Sequence, residues 1–162
     1  MDREYKIGKS DVLEVSVWKE EDLTRTVKVR QDGMISLPLI EDVRAVGKTT
    51  SELKNIIQNR MKEYIEQPTV TVIVESQESK RYYIIGEVEE PGEYSLVKDL
   101  TVLQAISYAG GFTEWADKAN ILLLRKTNGN EKRMRVNYFK IVSGKSPEQN
   151  AVLRANDTIV VQ

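Results

Sequence analysis

Stretches in which apolar and polar residues alternate recur along the chain and predict β-strands. In the first, at residues 12–18, Leu13, Val15 and Val17 alternate with polar or aromatic side chains, which is the two-residue period of a half-buried strand. Residues 69–75 are rich in β-branched side chains and form the clearest strand pattern. Further strands are predicted at residues 27–30, 34–37, 81–85, 94–97, 120–126, 133–136 and 158–161.

Two capping-box spacings predict where helices begin. The first runs from Thr49 to Glu52 and the second from Thr101 to Gln104. The first helix is predicted to end at residues 67–68 and to bury one apolar stripe, formed by Leu53, Ile56, Ile57, Met61 and Tyr64. Consecutive glycines at 110 and 111 predict the end of the second helix, and Asn137 is predicted to cap a short third helix that runs to Val142.

Turn residues separate these elements. Asp32 and Gly33 predict a type I′ hairpin turn with positive φ at the glycine, and Pro38 predicts a sheet edge or exit. Pro91 and Gly92 predict the centre of a type II turn, and the pair at 128–129 predicts a second hairpin. Because the polar segment 76–80 separates two groups of strands and helices, we expect two units of α+β fold.

Composition excludes several classes of function. Lys plus Arg is 24 and Asp plus Glu is 25, so there is no basic footprint for nucleic acid. The chain has no Cys and no His, which excludes thiol nucleophiles, Ser-His-Asp catalysis, His-ligated metals and disulfides. No apolar run approaches the roughly 20 residues of a membrane-spanning helix. The first residues lack the hydrophobic region of a signal peptide, so any targeting segment is expected outside this chain.

The candidate chemical groups favour structural roles. Asp32 and Asp157 lie beside turn residues, where a carboxylate commonly accepts a backbone N–H, and we give Asp11 the same structural interpretation. The adjacent carboxylates at 89 and 90 should point apart, which argues against an acid–base pair. Trp18 and Trp115 offer surfaces for stacking on a sugar, but we predict that they pack in an amphipathic core instead. No catalytic residue, metal ligand or cofactor is predicted, and the ligand-binding residues stay unknown.

In its first half the chain resembles the polysaccharide export (Poly_export) domain. The resemblance covers residues 4–75, from Tyr5-x-Ile7-Gly8-x-x-Asp11 through Asp32-Gly33 to Pro38 and the strand after Pro68. The second half is similar to the SLBB domain, a β-grasp module, through Ile85-Gly86-Glu87-Val88, the glycines at 110–111 and the closing strand. The resemblance implies mainly structural roles for the motif residues Tyr5, Gly8, Asp11, Asp32, Gly33, Pro38, Gly86, Pro91, Gly92, Gly110, Gly111 and Asp157.

The resemblance implies a Poly_export domain (a small sheet plus a helix) at residues 4–77 and an SLBB domain at residues 78–162. Two positions depart from the family pattern: Glu41 and Asn156 stand where glycine is usual. Asn tolerates the left-handed region, so Asn in place of Gly at position 156 is the milder departure.

The function that the resemblance implies is a non-catalytic periplasmic component of a conduit, associated with the outer membrane, for a capsular polysaccharide or exopolysaccharide. The expected partners are further copies of the chain in a ring, the polysaccharide in transit, an inner-membrane polysaccharide co-polymerase, and an outer-membrane protein or lipid anchor. Within such a ring the carboxylate-rich stretch 87–90 is expected to face either the lumen or a neighbouring subunit. The alternatives are a soluble ligand- or sugar-binding β-grasp module without a channel role, or a glycosidase that uses two carboxylates.

Overall fold

A computed structural model describes residues 4–162. The chain divides into two compact units, one ending at Ser79 and the other running from Lys80 to Gln162. Each unit combines a sheet with helices, which confirms the α+β prediction. Within residues 4–162, no helix combines the length and the apolar character that a membrane span requires.

The first unit is built around a small antiparallel sheet. Its elements are β1 (Val12–Val17), β2 (Arg25–Lys28), β3 (Met34–Leu37), β4 (Glu41–Arg44), α1 (Thr50–Met61) and β5 (Val70–Ser76). Strand β1 lies between β2 and β5, while β3 and β4 form a separate hairpin. This order places β1 and β5, both predicted as strands from the sequence, side by side, with β1 central and β5 at an edge of the sheet.

The core of the first unit follows the predicted periodicities. Leu13, Val15 and Val17 of β1 point inward and are buried. Helix α1 begins with the predicted capping box at Thr49 and buries three side chains in the same core, namely Leu53, Ile57 and Met61. Full burial of side chains of this size contributes about 1.5–3 kcal/mol each, so the helix is fixed mainly by packing.

The second unit is a five-stranded mixed sheet. Its elements are β6 (Arg81–Gly86), β7 (Gly92–Ser95), α2 (Val102–Tyr108), β8 (Ile121–Thr127), β9 (Asn130–Val136), α3 (Tyr138–Val142) and β10 (Thr158–Val161). The strand order is β7-β6-β10-β8-β9, and the final strand is parallel to β6 and antiparallel to β8. One sheet face packs on buried residues of α2, as expected for a β-grasp module.

Local signals correctly place the helix ends of the second unit. Thr101 and Gln104 form the second capping box, and the Asn137 side chain accepts a hydrogen bond from the N–H of Lys140 at the start of α3. At the end of α2, the Gly111 N–H donates to the Ile106 carbonyl and the Gly110 N–H to the Ser107 carbonyl, which is a Schellman motif. The hairpin at 128–129 is also confirmed.

Two predicted turns differ in type from the prediction. The chain does reverse at Asp32 and Gly33, where Gly33 has the expected positive φ of 82° and its N–H donates to the Arg30 carbonyl at 2.9 Å. Asp32 lacks the positive φ that a type I′ turn needs, and the strands on either side pair elsewhere, β2 with β1 and β3 with β4. Gly92 has φ 157° and begins strand β7, whereas a type II turn needs about +80° there. The chain reverses earlier, within residues 87–91, and Gly86 provides the positive φ of 98°.

The apolar stripe of α1 is shorter than predicted. The helix ends at Met61, three residues before Tyr64, and the Tyr64 side chain is exposed. Ile56 is only half-buried at the border of the core. The predicted stop at residues 67–68 is therefore too late, because a short turn links the helix to β5.

Candidate functional site

Asp11 is a fully buried carboxylate that links the beginning of the first unit to its last residue. One of its oxygens accepts the Gly8 N–H at 2.9 Å and the Tyr5 hydroxyl at 2.5 Å, and the other accepts the Ser79 N–H at 2.8 Å. Burial, followed by the hydrogen bond to Asp11, raises the pKa of Tyr5 above its usual range. Because donors already occupy both carboxylate oxygens, Asp11 is arranged to hold the two ends of the unit together rather than to move protons.

Gly8 is required by the same cluster. A Cβ atom at Gly8 would lie 2.5 Å from the Cβ of Ser79, which is closer than real side chains come. Glycine therefore lets the segment after β5 approach the start of the chain. Tyr5, Gly8 and Asp11, predicted as separate motif residues, form one structural site with Ser79.

Asp32 belongs to a second polar cluster, at the β3–β4 hairpin. It accepts the Met34 N–H at 3.0 Å and forms an ion pair at 2.9 Å with Arg30, which also binds Asp42 at 3.0 Å. Hydrogen bonds from the Arg30 guanidinium are the main reason why the pKa values of both aspartates are lowered. The sequence analysis identified Asp32 but missed its partners, although Arg30 and Met34 lie only two residues away. Asp42 joins the cluster because β4 pairs with β3.

Gly33 and Pro38 shape the same hairpin. The Gly33 carbonyl accepts the Ala45 N–H at 2.9 Å, which anchors the end of the hairpin. The Pro38 carbonyl accepts the Ile40 N–H at 2.9 Å, and Leu39 between them has φ 70°, so the reversal contains a γ-turn. The predicted exit at Pro38 is confirmed as a hairpin turn.

Asp157 is the buried carboxylate of the second unit. Its oxygens accept from the Arg125 guanidinium at 2.7 and 3.0 Å and from the Arg154 N–H at 2.8 Å. The hydrogen bonds to Asp157 are the main reason why the pKa of Arg125 is raised. This bidentate pair ties β8 to the turn before β10, so Asp157, like Asp11, has a structural arrangement.

The glycine motifs of the second unit permit close backbone approach. A Cβ atom at Gly86 would overlap the Val161 carbonyl oxygen of β10, and one at Gly110 would lie 2.9 Å from the Cβ of Glu89. The N–H of Glu90 donates to the Ala109 carbonyl at 2.8 Å. Gly110 and Gly111 thus dock the segment that ends at Pro91 and Gly92 on the end of α2, and Gly86 lets β6 approach β10.

Two grooves lie on the second unit. One of about 310 Å³ is lined by Arg125, Thr127, Asn130, Glu131, Lys132 and Arg154. Another of about 260 Å³ is lined by Lys98, Asp99, Leu100, Gln104, Ser107 and Tyr108. In the part of the chain that the structure describes, no three acidic side chains come together as metal ligands would.

The predicted core role is wrong for both tryptophans. Trp18 is 70% exposed and Trp115 is 78% exposed. Trp18 follows Val17 directly and falls on the outward phase of the β1 alternation, while Trp115 lies in the connection before β8. The alternation of β1 could have predicted that Trp18 is exposed, because the residues at odd positions of this strand point inward and Trp18 continues the even positions.

The sheet of the second unit also has an apolar open face, opposite its helix-covered face. Register places Val160 between Ile85 and Leu122, and the next row contains Tyr83 and Leu124. Ile85 is 52% exposed and Tyr83 36% exposed, while the others are half-buried. We call these five residues the open-face strip; contiguous exposed apolar residues of this kind mark interaction surfaces.

Comparison with known proteins identifies both halves of the chain. The family described as "Polysaccharide biosynthesis/export protein" matches residues 1–75, and the SLBB domain matches residues 81–137. The domain boundary at 77/78 stays a prediction.

Curated relatives share the same region. The exopolysaccharide production protein ExoF of Rhizobium meliloti is 35% identical over 121 residues, which cover 67% of this chain and 28% of ExoF. The EPS I polysaccharide export outer membrane protein EpsA of Ralstonia nicotianae is 30% identical, over 75% of this chain and 38% of EpsA. The polysialic acid transport protein KpsD of Escherichia coli is 27% identical, over 88% of this chain and 25% of KpsD.

This chain therefore spans less than two fifths of the length of these relatives. Its two matched segments follow each other in the order that the fold displays, a sheet-and-helix unit and then a β-grasp unit. The chain belongs to the polysaccharide biosynthesis/export protein family, with a Poly_export domain followed by an SLBB domain.

Proposed function

We propose that this chain is a non-catalytic, periplasmic part of a conduit that exports a bacterial capsular polysaccharide or exopolysaccharide. Its copies form a homo-oligomeric ring that guides the polymer towards and across the outer membrane. The observation that carries the proposal is the family membership, supported by relatives named as polysaccharide export outer membrane proteins. The polymer in transit and an inner-membrane polysaccharide co-polymerase are its expected partners, together with an outer-membrane protein or lipid anchor.

The arrangement of the acidic groups favours a passive role. Asp11 and Asp157 have donors on both oxygens. Glycoside hydrolysis needs an acid and a base about 5–10 Å apart across a bound sugar, and the adjacent exposed pair Glu89 and Glu90 lies on a loop rather than on opposite walls of a cleft. The open-face strip supports self-association, because a surface of this kind is usually covered by another protein.

A deletion strain tests the export role. Removing the gene while the polymer's synthesis enzymes are intact should abolish surface polysaccharide and leave polymer inside the cell, measured by immunostaining of intact and permeabilised cells. Purified protein should leave the polymer uncleaved, because Glu89 and Glu90 lie side by side on one loop rather than on opposite walls of a cleft. Normal surface polysaccharide in the deletion strain, or cleavage of the polymer by purified protein, would overturn the proposal.

The second candidate is a soluble sugar-binding module, and the exposure of Trp115 favours it. An indole that is 78% exposed presents a face on which a sugar ring can stack. Saturable binding of an oligosaccharide fragment in calorimetry, lost in Trp115→Ala and retained in Trp18→Ala, with no self-association of the chain, would support this candidate over the conduit.

A further inference from the structure

An acidic end marks one side of the second unit. Residues 87–93, which run from the end of β6 into β7, contain four glutamates and no Lys or Arg. Two of them have partners, since Glu87 accepts from the Thr113 hydroxyl at 2.7 Å and Glu93 lies 3.6 Å from Arg81. Glu89 and Glu90 are exposed, and their side chains have no hydrogen-bonding or ionic partner within residues 4–162. We call these four glutamates the acidic end.

A basic end marks the other side of the same sheet. The β8–β9 hairpin contains Arg125, Lys126, Lys132, Arg133 and Arg135 against the single acid Glu131. Arg125 is paired with Asp157 and Arg133 with Glu131, whereas Lys132 and Arg135 have no acidic partner in the described chain. Lys132 also stands directly opposite Arg125, and like charges opposite each other are destabilising. These five cations form the basic end.

The two ends lie too far apart to neutralise each other within one copy. Glu87, Glu89 and Glu90 follow the end of β6, and the unpaired cations Lys132 and Arg135 lie on β9, three strands further along the sheet. Three strand spacings of about 4.8 Å separate β6 from β9 by about 14 Å. The screening length at physiological ionic strength is about 8 Å, so the charges at each end act almost independently.

Charged side chains also protect edge strands from aggregation. That protection does not require one sign at one edge and the opposite sign at the other. The segregation of sign in this sheet needs a second explanation, because mixed charges would protect the edges equally well.

We propose that copies of this chain contact each other head to tail, with the acidic end of one second unit against the basic end of the next. A two-fold contact through either end alone would bring like charges together. Opposite charges at opposite edges instead favour a repeating contact of one kind, which closes into a ring when the rotation per subunit permits. The inference rests on the proposed function and identifies the stretch 87–90 as facing a neighbouring subunit rather than the lumen.

Charge reversal tests the contact without touching the core. The acidic-end variant carries Glu89→Lys and Glu90→Lys, and the basic-end variant carries Lys132→Glu and Arg135→Glu. All four side chains are exposed, so neither variant should lose thermal stability, and Lys132→Glu also removes the like-charge pair with Arg125. The matched controls reverse exposed charges of the first unit, Glu20→Lys with Glu21→Lys and Lys54→Glu with Lys62→Glu.

Sedimentation velocity at low salt should show at least about tenfold weaker self-association for each end variant, since like charges then meet at the contact. An equimolar mixture of the two variants should recover assembly, because their reversed ends are complementary, and a chain with all four reversals should assemble alone. The controls should behave as the wild type.

The outcomes separate this inference from the proposed function. If the wild type assembles and the end variants assemble equally well, the head-to-tail contact is wrong and the export role is unaffected. A wild-type chain that stays monomeric at every concentration also overturns the contact, while the export role is decided by the deletion strain. Recovery in the mixture is the result that a general loss of stability cannot produce.

Discussion

At two positions where the family resemblance implies glycine, this chain has another residue with positive φ. Glu41 has φ 58° and Asn156 has φ 71°. A side chain in the left-handed region costs roughly 1–2 kcal/mol, and asparagine is among the few residues that tolerate this region. The cost at Glu41 is therefore larger than that at Asn156.

Replacing Glu41 with glycine should stabilise the protein. The gain from relieving the left-handed strain exceeds the added chain entropy of glycine in the unfolded state, which leaves a net effect of about 0.5–1 kcal/mol. Urea unfolding should show a higher midpoint with an unchanged slope. Glu41→Ala keeps the Cβ atom and is the control; an equal gain in both variants would refute the role of φ.

The pair Glu14 and Glu75 predicts a pH-dependent effect. Glu14 lies on β1, and Glu75 lies on β5 at the bulge in the pairing of the two strands. The hydrogen bond between the two carboxyls is the main reason why the pKa of Glu75 is raised. A carboxyl whose folded pKa exceeds its unfolded value adds stability at acid pH and loses it as the pH rises through the folded pKa. Glu75→Gln should therefore raise the melting temperature at pH 7, with a gain that disappears near about pH 3.

The control for this pH effect is Glu63→Gln, an exposed glutamate just after α1, which should change the melting temperature little at either pH. A gain for Glu75→Gln that persists undiminished at acid pH would show that lost repulsion is not its cause.

At the scale of elements, the features that depend only on nearby residues could be predicted from the sequence. The capping boxes at Thr49 and Thr101 and the Schellman end at Gly110 are built from residues within one or two helical turns, so their spacing suffices. Strand pairing was harder, because β1 pairs with β5 and β6 with β10, and these strands lie far apart along the chain. The Asp32–Gly33 turn was correctly placed, yet its strands pair elsewhere.

The junction between β6 and β10 depends on Gly86. This residue has φ 98°, and a Cβ atom there would overlap the Val161 carbonyl oxygen. Gly86→Ala combines backbone strain with steric overlap, each of about 1–3 kcal/mol, so we expect a loss of about 3 kcal/mol in the free energy of unfolding. Chemical denaturation of the variant and the wild type measures this difference in the free energy of unfolding.

Gly144 provides the matched control for Gly86→Ala. It has a positive φ of 77° but no atom within 4 Å of a Cβ position, so Gly144→Ala should cost only the backbone strain of about 1 kcal/mol. Equal losses at the two glycines would show that the close approach of β10 contributes nothing.

At the scale of the whole molecule, each unit has its own core and its own buried aspartate. Asp11 serves the core that contains Leu13 and Ile57, and Asp157 serves the core that contains Ile84 and Leu123. Sequence patterns predicted both residues as structural but not their partners, because Ser79 and Arg125 are distant in the chain. The separation of charge between the two sheet edges was also missed, since it appears only once the strand order is known.

The two aspartates should therefore stabilise different units. In Asp11→Asn, the loss of at least one charge-assisted hydrogen bond should cost about 1.5–3 kcal/mol. In Asp157→Asn, Arg125 loses its bidentate partner although its side chain is only 12% exposed, which should cost about 3 kcal/mol.

Hydrogen exchange followed by mass spectrometry should show lost protection in residues 12–76 for the first variant and in residues 81–161 for the second, with the other unit unchanged. Asp99→Asn, an exposed position, is the control. Loss of protection across both units in either variant would mean that the chain unfolds as one cooperative body, and the units defined by separate cores would then have no independent stability.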